Sequence, residues 1–181
     1  FFFQDLVAPS SSNSIEAQIH KMLHSADILF ERSLYDQSRR ILRSAEKLAS
    51  KYEKSALMIE ISNKQKRILE TAGYLNISDV DLLEMSRNED VHIGRMSEYN
   101  KIWSVKSQLF AQLAKKGVAR SEEESKMYGQ ICAPLLNGYK PKNVTTEAQY
   151  LYSHTLSAYY YAIANLDKSL EYLRLNLELF E

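Results

Sequence analysis

Apolar side chains recur every three or four positions along most of this chain, and that spacing predicts helices rather than strands. The first apolar stripe is Ile15, Ile19, Met22, Ala26 and Leu29. Side chains at these intervals return to one side of an α-helix, so a helix is expected from about residue 14 to Arg32. Asn13 followed by Glu16 has the form of a capping box that opens it.

The next two stretches predict helices joined to the first by very short connections. The stripe of the second helix is Ile41, Ala45, Leu48 and Tyr52, and that of the third is Leu57, Ile61, Ile68 and Ala72. Two residues, Ser33 and Leu34, separate the first helix from the second, which leaves room only for an antiparallel turn. The third helix is expected over residues 54–72, ending at Gly73.

A fourth helix is predicted over residues 79–116, which is unusually long at about 57 Å for 1.5 Å per residue. Ser78 is the expected cap, and a kink near residues 92–94 is the alternative to one straight helix. Its distal half carries apolar residues expected to face the core, namely Ile102, Trp103, Val105, Leu109, Phe110 and Leu113.

Three more helices are predicted in the last third of the chain. Ser121 with Glu124 opens the fifth, which is expected to end or bend before Pro134, and a loop covers residues 137–144. Thr146 with Gln149 caps a tyrosine-rich sixth helix. The stripe of the seventh helix is Leu166, Leu170, Leu173, Leu177 and Phe180, with the spacing found in the first.

The first and last hairpins resemble the tetratricopeptide repeat, a helix-turn-helix unit of about 34 residues. In the last hairpin the positions that match are Ser157, Tyr160, Ala164, Leu166, Ser169 and Leu173. In the first they are Ala26, Leu29, Ser33, Tyr35, Ser38, Leu42 and Ala45. No Trp opens either unit, no Pro closes one, and residues 54–138 fit the period poorly. We therefore expect an all-α array of antiparallel hairpins with seven helices, as a right-handed superhelix or with an irregular bundle in the middle.

The resemblance implies a non-enzymatic scaffold that binds a protein or peptide, because that is the usual work of the family. The concave surface of such a repeat is formed by its first helix. The positions it implies are His20, Leu23, Asp27, Phe30 and Glu31 in the first hairpin, and Leu151, His154, Ala158 and Tyr161 in the last. They lack the Lys, Arg and Asn set that grips a terminal carboxylate, so an apolar, aromatic groove is the expected form. Most of the tyrosines near residues 150–161 are expected to be packing residues.

Composition agrees with one soluble helical domain over residues 14–181, preceded by a tail or linker at residues 1–13. Apolar residues make up 45% of the chain, and there are only five Gly and three Pro. The chain starts with Phe1 and ends inside a helical pattern, so we expect a fragment of a longer protein. No apolar run is long enough to span a membrane. The single Cys132 permits a reducing compartment, and a cytoplasmic location is expected.

Basic residues are concentrated in one part of a chain that is neutral overall. Lys and Arg number 23, as do Asp and Glu, so nucleic acid is an unlikely partner in general. Residues 32–67, however, carry ten basic and four acidic residues. Arg39, Arg43 and Lys47 form a candidate patch for RNA or for a phosphorylated or acidic partner. A solvated face, or pairing with the acidic residues of 68–100, is the favoured interpretation.

Catalytic and metal-binding patterns are weak. Glu16, His20 and His24 share one helical face and could hold a metal, but no fourth ligand follows from the sequence. Cys132 has no His nearby in sequence. No phosphate-binding glycine loop, zinc cysteine cluster or nucleophile elbow is present. No enzyme activity, cofactor or metal is therefore predicted.

Overall fold

The computed structural model of the protein describes residues 14–75, 77–136, 138, 139, 141 and 144–179. All regular structure in these residues is helical, which confirms the predicted all-α class. The seven helices are α1 (Ile15–Glu31), α2 (Tyr35–Lys51), α3 (Ser55–Thr71), α4 (Asp79–Lys116), α5 (Glu122–Leu136), α6 (Thr146–Ala162) and α7 (Leu166–Glu178). The long fourth helix is confirmed as one element of 38 residues. The predicted tail at residues 1–13 and Phe180 lie outside the described residues.

The chain divides into two compact units within the stretch that was expected to form one domain. The first unit ends at Ile93 and the second begins at Gly94, so the boundary falls inside α4. The first unit holds α1 to α3 with the start of α4. The second holds the rest of α4 with α5 to α7.

Two helix caps lie one residue away from their predicted positions. Ser14 caps α1 and Thr145 caps α6, and each side chain accepts a hydrogen bond from the amide three residues later, at 3.1 and 3.2 Å. The predicted caps were Asn13, which lies outside the described residues, and Thr146, which is the first residue of α6. Each cap satisfies an amide that the first helical turn leaves unpaired.

Helix α5 begins as predicted and ends later than predicted. Ser121 accepts from the amide of Glu124 at 3.2 Å, and the Glu124 carboxylate accepts from the amide of Arg120 at 2.8 Å. The helix was expected to end or bend before Pro134. It does not end there, because it continues to Leu136. Leu135, which follows the proline within the helix, is fully buried in the core.

The same turn joins α1 to α2, α2 to α3 and α6 to α7. In each turn, the second residue past the end of the helix has a positive φ. These residues are Ser33 (59°), Glu53 (52°) and Ala164 (60°). The amide that follows donates to the carbonyl five residues earlier, at 2.9 Å in all three turns. This six-to-one bond closes the end of a helix and reverses the chain. The short joints predicted from the sequence therefore share one geometry.

The core of the first unit lies between α1, α2 and α3. Its buried apolar residues are Ile19, Leu23, Ala26, Leu42, Ala45, Ala49, Leu57, Ile61 and Ile68. The predicted stripe of α2 is right at Ala45, which is fully buried, and Ile41 and Leu48 pack against this core while half-buried. It misses the fully buried Leu42, and it is wrong at Tyr52, which is exposed. Helix α2 packs against α1 on one side and α3 on the other, and this turns its buried face toward Leu42 and Ala49.

The core of the second unit lies between the distal half of α4 and helices α5 and α6. Ile102, Val105 and Leu109 of α4 are buried there as expected. The expectation for Trp103 and Phe110 is wrong, because their side chains are 51% and 36% exposed. Each lies next to a buried residue in sequence, about 100° further around the helix, so Trp103 points away from the core and Phe110 lies at its edge, against His154 of α6.

A buried serine joins the two helices in both the first and the last hairpin. The Ser38 hydroxyl donates to the carbonyl of Ala26 at 2.8 Å, and the Ser169 hydroxyl donates to the carbonyl of Ser157 at 3.0 Å. Both bonds span twelve residues. Because each serine reaches the backbone of the facing helix directly, the helices approach closely at the positions where the sequence places small residues.

Candidate interaction surface

The apolar stripe of α7 lies on the surface and not in the core. Leu166, Leu170, Leu173 and Leu177 are 58%, 52%, 43% and 68% exposed, and we call these four residues the leucine face. A stripe with this spacing is usually the buried side of a helix, so its exposure is unexpected. Helix α7 packs against α6 through Ser169 and Asn176, with Tyr172 half-buried beside them.

In the first hairpin, helix α3 covers the face of α2 that matches the leucine face. Matching the two hairpins through their turns places Leu173 at the position of Leu42, which is fully buried. Leu42 shares its core with Ile61 and Ile68 of α3. In the described residues of the second unit, α6 is the one helix that packs against α7. The leucine face therefore corresponds to a helix-packing face, and it is open in the part of the chain described.

The predicted partner-binding residues of α1 mostly face α3. Leu23 is only 2% exposed and belongs to the core, so it is not a surface contact. Asp27 accepts two hydrogen bonds from the Lys64 ammonium group, at 2.8 and 2.7 Å. Phe30 lies under the guanidinium group of Arg67, 4.2 Å from the ring centre. Helix α3 therefore occupies much of the surface that the resemblance assigned to a partner.

One of the three candidate metal ligands of α1, namely Glu16, forms an ion pair, whereas His20 and His24 do not take part in it. Glu16 pairs with Lys54, and the hydrogen bond from that ammonium group lowers the pKa of the Glu16 carboxyl. His20 and His24 are exposed. Among the described residues, no group of three or more His, Cys, Asp or Glu side chains is placed to hold a metal ion.

Four residues of α6 were predicted to bind a partner. Leu151 is buried in the core of the second unit and Ala158 packs against that core, so the prediction is wrong at Leu151. The other two, His154 and Tyr161, differ in their surroundings. His154 stacks on Tyr150, with ring centres 5.7 Å apart and planes 5° apart, and contacts Phe110 at 5.5 Å. Burial lowers the pKa of its imidazole, and the Lys106 charge acts in the same direction, so both favour the neutral ring. Its Nδ1 is buried without a hydrogen-bond partner in the described residues. Tyr161 is 59% exposed and available for contact.

Most other tyrosines of α6 pack internally. Tyr159 is buried, Tyr152 donates from its hydroxyl to the carbonyl of Tyr139 at 3.2 Å, and Tyr160 stacks on Tyr172 with ring centres 5.6 Å apart. The expectation that the majority are packing residues is consistent with these contacts.

Several basic residues of the 32–67 stretch have acidic partners. The ammonium group of Lys66 pairs with Glu89 of α4, as expected for pairing with the acidic helix that follows. Lys54 and Lys64 instead pair with carboxylates of α1. Three of the ten basic residues of this stretch are therefore paired with acids within the first unit, and Arg39 lies 4.0 Å from Asp36.

Arg39 and Arg43 line an open cavity of about 360 Å³ between α2, α3 and the start of α4. Ile68, Leu69 and Leu75 supply apolar walls, so the cavity combines two guanidinium groups with a nonpolar surface. Lys47, the third member of the predicted patch, is exposed and is not among the cavity residues. Glu46 and Asp81 also line the cavity, where Glu46 accepts from Gln65 and Asp81 from Ser78, so two carboxylates stand beside the two guanidinium groups.

Cys132 is a core residue. Its side chain is fully buried, and burial raises the pKa of the thiol to about 12. The thiol is therefore protonated at neutral pH and is a poor nucleophile.

No described helix has the length and apolar character needed to cross a membrane. Comparison with protein-family models, with curated protein sequences and with solved structures finds no match for this chain.

Proposed function

We propose that this chain is a non-enzymatic helical-repeat module, similar to tetratricopeptide repeats, that binds another protein through the leucine face of α7. The observation that carries the proposal is the exposure of four aligned leucines, between 43% and 68%, on a face that is a helix-packing face in the first hairpin. Contiguous exposed apolar surface costs free energy in water and commonly marks an interaction site.

The repeated hairpin geometry supports the repeat character of the module. Both hairpins use the same turn and the same buried serine bond, at Ser38 and at Ser169. In repeat proteins each unit leaves an apolar face that the next unit or a partner covers. An amphipathic helix with apolar residues at intervals of three and four is the form of ligand that fits such a face.

Affinity capture with matched variants tests the proposal. The test variant is Leu170→Glu with Leu173→Glu, which places two charges in the leucine face. The control is Leu175→Glu, because Leu175 lies on the opposite side of α7 and is 41% exposed, close to the 43% of Leu173. Immobilised chains are exposed to lysate of the source cells, and the retained proteins are quantified by mass spectrometry.

We expect a set of proteins that the unchanged chain and the control retain and that the double variant loses. Equal retention by all three chains would show that the leucine face binds nothing, and the proposal would then be abandoned. Far-UV circular dichroism establishes that the three chains are equally helical, which is expected because the changed leucines are already exposed.

A second candidate function is supported by the cavity lined by Arg39 and Arg43. Two guanidinium groups beside an apolar wall suit a ligand with an anionic group and a nonpolar part, such as a phosphorylated peptide. Because the carboxylates of Glu46 and Asp81 also line the cavity, this candidate ranks below the leucine face.

The test of this second candidate is binding of a labelled phosphopeptide or single-stranded RNA at increasing salt concentration. Binding through the cavity is expected to weaken with salt and to be lost in Arg39→Ala with Arg43→Ala. The control is Lys115→Ala with Lys116→Ala, which removes the same charge from two exposed residues. Equal binding by both double variants would retire this candidate.

A further inference from the structure

We infer that the leucine face of α7 binds the same face of a second copy of this chain, with the two helices antiparallel. This inference rests on the proposed function, because it names the partner of the same surface. It depends on three observations: the spacing of the leucines, the self-complementary order of the charges beside them, and the composition of the equivalent face of α2.

The leucine face has the spacing of a coiled-coil seam. Its members follow one another at intervals of four, three and four residues. This is the a and d pattern of the heptad repeat, in which leucine side chains of one helix fit between those of another. Helix α6 packs on the adjacent face of α7 and therefore leaves this seam uncovered.

An antiparallel arrangement uses all four leucines of each copy. When Leu170 lies opposite Leu173 of the second copy, Leu166 lies opposite Leu177 of that copy. The same surface then serves both chains, so the contact is closed by a two-fold axis and leaves no leucine over.

The charges beside the leucine face fit this arrangement. Asp167 follows Leu166 and Arg174 precedes Leu177 by three residues, so both border the seam on the side away from α6, and both are exposed. In an antiparallel pair with this register, Asp167 of each copy lies beside Arg174 of the other, which gives two opposite-charge pairs. A parallel pair instead places these positions beside Ser169 and Asn176, which are buried against α6 and carry no charge.

The equivalent face of α2 could not form such a pair. The positions that match the leucine face there are Tyr35, Arg39, Leu42 and Glu46. Glu46 accepts a hydrogen bond from Gln65 of α3 at 2.9 Å, so polar residues on this face are satisfied by a specific neighbour within the chain. The α7 face contains leucine alone and has no such requirement, which suits a contact with its own copy.

Sedimentation velocity of the purified chain over a wide concentration range tests the inference. The unchanged chain and the control Leu175→Glu are expected to pass from monomer to dimer as concentration rises, and Leu170→Glu is expected to remain monomeric. A monomer at every concentration for the unchanged chain, or dimers of Leu170→Glu as strong as those of the control, would overturn the inference.

A charge exchange tests the antiparallel register separately. Asp167→Arg alone and Arg174→Asp alone each replace two attractive pairs by two repulsive ones, and each is expected to weaken the dimer by about tenfold. The variant that carries both changes restores opposite charges and is expected to recover the original dissociation constant. If it associates no better than the single variants, the antiparallel register is wrong.

The two proposals fail in distinguishable ways. A monomeric chain that still retains lysate proteins through Leu170 and Leu173 overturns self-association and leaves the proposed function standing. A monomeric chain whose retained proteins do not depend on these leucines overturns both.

Discussion

Leucine-to-alanine changes at matched positions of the two hairpins provide a quantitative test of the fold. Leu42 and Leu173 occupy the same position relative to the hairpin turn, but Leu42 is fully buried and Leu173 is 43% exposed. The difference arises because α3 covers α2 in the first unit, whereas no described helix covers the leucine face of α7.

The expected losses of stability differ by about 2 kcal/mol. Leu42→Ala removes buried methyl groups and leaves a cavity among Ile61 and Ile68, which costs about 3 kcal/mol. At Leu173 just over half of the side chain is buried and water can fill the space left, so only part of the transfer free energy is lost, about 1 kcal/mol.

Urea unfolding of dilute protein measures both losses. Far-UV circular dichroism follows all helices, and the fluorescence of Trp103, the single tryptophan, follows the second unit. Leu42→Ala is expected to lower the stability of the first unit and Leu173→Ala to lower slightly that of the second. Equal losses at the two positions would refute the reasoning, because it depends on α3 covering Leu42 and on Leu173 having no such cover.

Three further predictions concern buried polar groups. Replacing Ser38 or Ser169 by Leu is expected to lower the unfolding free energy by about 2 kcal/mol in urea titrations, because a larger side chain cannot fit between helices this close, whereas Ala is expected to be nearly neutral. Asn176→Ala is expected to raise the free energy of unfolding by about 1 kcal/mol, because the Asn176 Oδ1 is buried without a partner in the described chain and the matching residue, Ala45, is apolar. A lower midpoint temperature in thermal unfolding would contradict this. The folded state lowers the pKa of His154, so the unfolded state binds more protons near its ordinary pKa of 6.5, and stability is expected to be complete above that value and to decrease as pH falls through it. His154→Phe is expected to reduce this pH dependence in urea titrations, and an unchanged slope would count against the assignment.

The sequence predicted helices well because their signals are local. Apolar spacing, side-chain caps and short joints determined where α1 to α4 begin and end to within about two residues, a normal margin for such signals. The cap of α1 was assigned to Asn13 and not to Ser14 because both are good capping residues in adjacent positions, and only the backbone conformation distinguishes them.

Burial was predicted less well because it depends on neighbours. The leucines of α7 have the pattern of a core stripe, yet they are exposed because α6 packs on the adjacent face of the helix. Leu23 was assigned to a partner surface by resemblance, but it is buried in the core that α1 forms with α2 and α3. The spacing of apolar residues along one helix does not contain this information.

The candidate interaction surface was therefore visible in the sequence only as a stripe. Its significance follows from comparing Leu173 with Leu42, which requires both the common turn and the position of α3. The cavity lined by Arg39 and Arg43 was likewise predicted only in part. The sequence predicts these two residues as a basic patch, but the apolar wall that includes Ile68 comes from a different helix.

Hydroxyl-radical footprinting with mass spectrometry tests the central claim most directly, since leucine side chains react according to their exposure. In dilute protein we predict fast oxidation of the leucine face and slow oxidation of Leu42. In concentrated protein we predict that the leucine face becomes protected while Leu175 continues to react. Slow oxidation of the leucine face at every concentration, or protection that extends equally to Leu175, would contradict the account.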